Sequence, residues 1–200
     1  MEEALQELGI CFLFAPSFHK AMRFAGPVRK ELGVRTLFNL LGPLTNPAGA
    51  PCQLLGVYAP ELTETFANVL KKLGSRRVLV VNGSDGMDEI TVTGPTRVSE
   101  LKDGLVRTYD LDPMPFFGAY AEPGDLAGGD ATVNAGITKG ILEGKITGPK
   151  RNIVLLNAAA SLLAANKVPD LKAGLAKAAT SIDSGAAADK LAKLVEFSKT

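Results

Sequence analysis

The apolar positions change period along the chain, and each change marks an element. From residue 62 onward Leu62, Phe66, Val69, Leu70 and Leu73 recur at i, i+4, i+7, i+8 and i+11, which predicts an amphipathic helix stopped by Gly74. The β-branched run at 77–82 and the apolar run at 53–58 flank that helix, so the three segments predict a strand, helix, strand unit whose strands pair in parallel. Two shorter strands, 92–101 and 105–111, surround Lys102-Asp103-Gly104, a turn that predicts an antiparallel ribbon beside the parallel sheet. Asp130 is placed to cap a helix running to Glu143 and ended by Gly144. Residues 149–166 carry so many apolar and alanine positions that a helix buried all round is expected. Further helices follow at 171–182 and after the Asp183-Ser184-Gly185 break, the last carrying Leu191, Leu194 and Val195.

Upstream, residues 1–9 read as one or two helical turns closed by Gly9, and 10–15 as a short buried strand. Residues 18–25 and 27–32 read as two helical pieces, because Pro27 cannot continue a helix but suits its first position. A chain that opens on a bare helical turn looks cut from within a longer protein. The alternation of strands and helices predicts an α/β fold: a mostly parallel central sheet flanked by helices, with an antiparallel ribbon, the 200 residues forming one α/β portion.

Composition narrows the possible partners. The 200 residues hold 22 Lys and Arg against 21 Asp and Glu, a net charge of +1, which gives no field to gather nucleic acid or an anionic membrane surface. Met1-Glu2-Glu3-Ala4 has neither the basic region nor the apolar stretch of a signal peptide, so a cytoplasmic location is expected. Cys11 and Cys52 lie far apart in apolar surroundings and are expected to be buried, reduced thiols. Lys71, Lys72, Arg76 and Arg77 surround a helix C-terminus, where cations complement the dipole. Gly128-Gly129-Asp130 could suggest a phosphate loop but lacks the strand-to-helix glycine fingerprint, so Asp130 is read as a cap. Neither a serine, histidine and acid arrangement nor a Cys-x-x-Cys motif is present.

Three segments could carry chemistry. The 38–47 stretch, with Gly42, Pro43 and Pro47, reads either as a rigid pocket wall or as a plain connection into the next strand. Ser84, Asp85, Asp88 and Glu89 fall just beyond a parallel strand, where open α/β sheets bind ligands. Asp88 and Glu89 suit Mg²⁺ shared with substrate phosphates, or a solvated acidic turn. His19 and Arg29 read alone as structural or solvated residues, although an arginine fork is the group that best grips a carboxylate.

Together these words resemble a known family. Phe14-Ala15-Pro16, His19, Ala21-Met22, Pro27-Val28-Arg29, Leu32-Gly33, Arg35-Thr36, the 38–47 block, Asp85-Gly86-Met87-Asp88-Glu89 and Asn157-Ala158-Ala159-Ala160 are similar, in order, to the anthranilate phosphoribosyltransferases. The resemblance implies that the anthranilate amine displaces pyrophosphate from phosphoribosyl pyrophosphate (PRPP) in tryptophan biosynthesis. It implies that Arg29 holds the anthranilate carboxylate, that His19, Gly42 and Pro43 line the channel admitting the ring, and that Asp88 and Glu89 ligate Mg²⁺. It also implies a small helical domain preceding the α/β domain and a homodimer formed through the helical one. The family's Gly-Thr-Gly-Gly-Asp loop and Lys-His-Gly-Asn segment are absent from these residues and are expected upstream. On that expectation, the chain by itself is catalytically incomplete and self-associates. Two other readings share the fold: a pyrimidine nucleoside phosphorylase-like enzyme, disfavoured by Arg29 and the 38–47 loop, and a noncatalytic nucleic-acid-binding relative, disfavoured by the net charge.

Overall fold

Burial of β2 (Arg77–Gly83) along its whole length organises the fold. A strand covered on both faces reads as an unbroken apolar run, and Val78, Leu79, Val80 and Val81 are each at most 1% exposed. β1 (Cys52–Gly56) pairs with it in parallel, Leu54 opposite Leu79, after crossing through α2 (Leu62–Lys72). β3 (Thr96–Lys102) pairs antiparallel on its other side and β4 (Leu105–Leu111) antiparallel on β3, giving the order β1-β2-β3-β4.

The α/β class is as expected, and so is the strand, helix, strand unit. The share of parallel pairing is smaller than the alternation implies: among the described residues one pairing is parallel and two are antiparallel, so the sheet is mixed rather than mostly parallel. The ribbon joins β2 directly and becomes half of the sheet. β3 also starts later than the pattern suggests, because Val92, though buried, lies in the loop that precedes it.

The structure is a computed structural model that describes residues 2–13, 31, 42 and 44–199. It divides into two compact units, Met1–Ala50 with Lys190–Thr200, and Pro51–Asp189. In the second unit, helices cover both faces of the sheet. Ser99 Oγ donates to Thr63 Oγ1 of α2 at 2.9 Å, and Ser99 lies opposite Val80, so Val78, Val80 and Leu101 face α2. Leu79, Val81 and Val98 on the other face pack with Ile153, Leu156, Ala160 and Leu163 of α5 (Pro149–Ala164). Ser161 is the one exposed residue of α5, the other positions being buried or half-buried. α4 (Ala131–Leu142) is capped by Asp130, whose Oδ1 accepts from the Val133 N–H at 2.9 Å. It meets α5 and α6 (Leu171–Asp183) in a second cluster of Ile141, Leu155, Ala178 and Ile182. The last helix, α7 (Ala186–Phe197), leaves Val195 exposed. The short helix α3 (Met114–Phe117) and a single 3-10 turn at Pro123–Leu126 are too brief to show a period in the sequence.

Arg77, expected among the cations that complement the helix C-terminus, is committed elsewhere. It is buried in β2, where its Nη2 lies 2.8 Å from Glu100 Oε1 and its Nη1 donates to Asn166 Oδ1 at 2.6 Å. A buried guanidinium needs such partners.

In the first unit, α1 (Glu2–Leu8) buries Ala4 and ends at Gly9, whose φ of +72° explains the glycine. Lys190 Nζ donates to the Leu8 carbonyl. The strand expected at 10–15 does not form over 10–13, where Ile10 and Phe12 are exposed. An apolar run becomes a strand only where another strand pairs with its backbone, and its own pattern does not show whether one will. Residues 14 and 15 lie outside the described residues, as do the helical pieces expected at 18–25 and 27–32 except for Glu31, which is helical. Both cysteines are free thiols, but Cys11 and Cys52 are only half-buried. Among the described residues no helix is long and apolar enough to cross a membrane.

Candidate functional site

At the carboxyl end of β2 the backbone leaves the sheet and returns at β3 through residues 84–95. A chain of hydrogen bonds fixes each end of the Asp88-Glu89 pair. Before it, the Gly86 N–H donates to the Gly83 carbonyl (2.9 Å) and the Gly83 N–H to the Met87 carbonyl (2.8 Å), closing a tight turn with Gly86 at φ +88°. Within the turn, Asp85 Oδ1 accepts from the Met87 N–H at 3.1 Å, and Asp85 Oδ2 accepts from the hydroxyls of Thr91 (2.5 Å) and Thr93 (2.7 Å). Partial burial works against its charge, yet these hydroxyl and amide donors outweigh it and hold the Asp85 carboxyl below the usual carboxylate range. Asp85 is therefore the loop's internal latch.

After the pair, Ile90 is completely buried in the core, and its backbone is gripped by α5. The Ile90 N–H donates to Asn157 Oδ1 (3.0 Å), and Asn157 Nδ2 donates to the Ile90 carbonyl (2.8 Å) and to the Ile153 carbonyl (2.9 Å). Beneath the pair lies β1: a Cβ on Gly56 would fall 1.6 Å from the Asp88 carbonyl oxygen, so only glycine allows this approach.

Asp88 and Glu89 are the exposed residues between these fixed points. Partial burial and the neighbouring Asp88 charge push the Glu89 carboxyl above its ordinary value. A cation shared by the two would relieve that repulsion. Among the described residues no cluster of three or more His, Cys, Asp or Glu could hold a metal. Two hard oxygen donors facing solvent fit Mg²⁺, which takes one or two carboxylates and completes its octahedron with phosphate and water.

An open groove of about 430 Å³ beside the loop is lined by Tyr58, Asn82, Ser84, Gly86 and Arg97 among others. Its arginine is tied to Asp110 at 2.7 Å, so that charge is already matched. Asn82 is committed as well, since its Nδ2 donates to the Val57 carbonyl at 2.8 Å.

Of the residues singled out in the sequence, Ser84, Asp85, Asp88 and Glu89 do gather beyond the strand end. Gly42, in the other unit, has helical backbone, as does Leu44, so at these two positions the 38–47 block is helical rather than a loop. Helical backbone at Gly42 lets its carbonyl accept from the Thr45 N–H at 3.2 Å. His19, Arg29 and Pro43 lie outside the described residues. Sequence reasoning missed the parts of Gly56, Thr91, Thr93 and Asn157. Asn157 had a signal: it is an amide within an otherwise apolar stretch of a buried helix, and such a group must find partners.

Residues 1–188 match the family model described as glycosyl transferase family, a/b domain. An anthranilate phosphoribosyltransferase from Desulfosudis oleivorans is 60% identical over 199 residues, covering all of this chain and 59% of that protein. The solved anthranilate phosphoribosyltransferase of Thermus thermophilus superposes with a TM-score of 0.91 at 45% identity, over 99% of this chain and 58% of that one. The Saccharomyces cerevisiae enzyme in complex with PRPP and Mg superposes at 0.87 with 32% identity, over 97% and 56%. The chain thus spans under three fifths of the length of these relatives.

Proposed function

Because this chain belongs to the glycosyl transferase family, a/b domain, we propose that it supplies the α/β part of an enzyme that transfers the phosphoribosyl group of PRPP to the amine of anthranilate, releasing pyrophosphate. The observation that carries this reading is the Asp88-Glu89 pair: two exposed carboxylates between immobilised neighbours at the carboxyl end of β2. Similarity to the yeast enzyme solved with PRPP and Mg supports it.

In this reading Asp88 and Glu89 hold Mg²⁺. Bound there, Mg²⁺ would neutralise charge on the departing pyrophosphate as the C1–O bond breaks. The protein needs no nucleophile, since the anthranilate nitrogen attacks C1 directly; what it must supply is alignment and charge. Arg29 grips the anthranilate carboxylate through two parallel N–H bonds, and His19, Gly42 and Pro43 line the ring's channel. The partners are these two small molecules rather than nucleic acid or membrane. A homodimer and a cytoplasmic location complete the proposal.

The test is to replace the matching part of the Desulfosudis oleivorans enzyme with this chain and follow loss of anthranilate fluorescence in the presence of PRPP and Mg²⁺. Consumption that disappears in Arg29→Ala and in the Asp88→Asn, Glu89→Gln double variant is expected. A chimera that folds but leaves anthranilate untouched, or that instead cleaves thymidine with phosphate, overturns the reading.

A further inference from the structure

We propose that Asn157 is a positioning residue for the Asp88-Glu89 pair, fixing from α5 the backbone on which the two Mg²⁺-binding carboxylates are carried. The inference rests on reading that pair as metal ligands, and it adds how they come to be in place without a metal.

Two neighbouring carboxylates on a free loop turn away from each other, and a cation must then supply the free energy that gathers them. Here the backbone that carries them is fixed in advance. The Met87 carbonyl is tied to the Gly83 N–H, and the Asp88 carbonyl rests on Gly56. On the far side the Asn157 amide satisfies both the N–H and the carbonyl of Ile90, which is the pattern a neighbouring strand's backbone would make. Its third bond, to the Ile153 carbonyl of its own helix, holds the side chain in the orientation that this requires. The helix cannot shift to follow the loop, because Leu156 and Ala160, on either side of Asn157, are fully buried against the sheet. Glu89 is thus directly bonded to a residue whose backbone is bound to the core, 67 positions along the chain.

The Asn157 amide is engaged with the Ile90 and Ile153 backbone, so its loss should show as weaker metal binding with anthranilate binding intact. In the full-length protein, calorimetric titration with preformed Mg²⁺·pyrophosphate should give a Kd raised about tenfold in Asn157→Asp, which keeps an acceptor for Ile90 but loses both donors. The anthranilate Kd should stay within about twofold, a limit well inside that tenfold effect. Hydrogen exchange at the Ile90 amide should quicken in the same variant. An unchanged Mg²⁺·pyrophosphate Kd alongside quickened exchange overturns the proposal, as does equal weakening of both ligands, which marks a general structural role. In the wild type, Mg²⁺·pyrophosphate should slow exchange at Ile90, so a variant that fails to fold still leaves a decisive measurement: no change at Ile90 overturns the proposal. The Asp88→Asn, Glu89→Gln variant separates the two ideas. If it binds Mg²⁺·pyrophosphate like the wild type, the metal-site reading fails, whatever Asn157 does.

Discussion

The two connections that flank β3 are built on opposite principles. Between β3 and β4 the chain reverses in two residues, Asp103 at φ +50° and Gly104 at φ +75°, and nothing more is required: both adopt the left-handed conformation whose twist matches the sheet. Between β2 and β3 it takes residues 84–95, held by Gly56 of β1, by Asn157 of α5 and by Asp85 from within. A hairpin turn that only reverses the chain can be specified locally. A loop that must present two carboxylates in one geometry has no such local solution, and its fixed points come from elements far away in sequence.

The sharpest way to break that contrast is at the long-range contact with the least room. Gly56→Ala should cost about 3 kcal/mol through overpacking, because the new methyl would displace the Asp88 carbonyl. Thermal unfolding should register the loss, and Mg²⁺·pyrophosphate binding should weaken with it. A variant of wild-type stability would mean that the loop has slack the structure does not show.

Next in size is Asn157→Ala, which leaves the N–H and carbonyl of Ile90 without their partner and should cost about 2 kcal/mol in denaturant unfolding. Asp85→Asn should cost about 1 kcal/mol, since the bonds from Thr91, Thr93 and the Met87 N–H lose their ionic acceptor. Its signature is the pH dependence. The folded carboxyl titrates below its ordinary 3.8, so its contribution to stability is present above that value and fades as pH falls through the lower, folded one. The wild type should therefore lose more stability than Asp85→Asn between pH 5 and pH 3, and parallel curves would remove Asp85 from the role of latch.

A stability loss of similar size, with the smallest effect on binding, should come from the hairpin. Gly104→Ala forces a Cβ into a left-handed residue at about 1 kcal/mol, and it should leave binding of Mg²⁺·pyrophosphate untouched. Weakened metal binding in this variant would show that the two connections communicate through β3.

The same contrast separates what could be read in the chain from what could not. Periodicity and punctuation determined α2, β2, the hairpin, the Asp130 cap and the buried helix α5, because those signals are local: a 3.6-residue stripe, a β-branched run, a glycine where φ is positive. The position of Asp88 and Glu89 beyond a strand end was equally legible, since it follows from where β2 stops. Residues 10–13 show the limit, for an apolar run of the same kind forms no strand there. So does Arg77, whose place at a helix end in the sequence concealed a buried ion pair with Glu100. How far β1–β2 parallel pairing extends, which glycine has to be a glycine, and which helix reaches across to Ile90 were decided only by the tertiary structure. These depend on elements that are separated along the chain and meet only once the core has closed, so no window of sequence contains them.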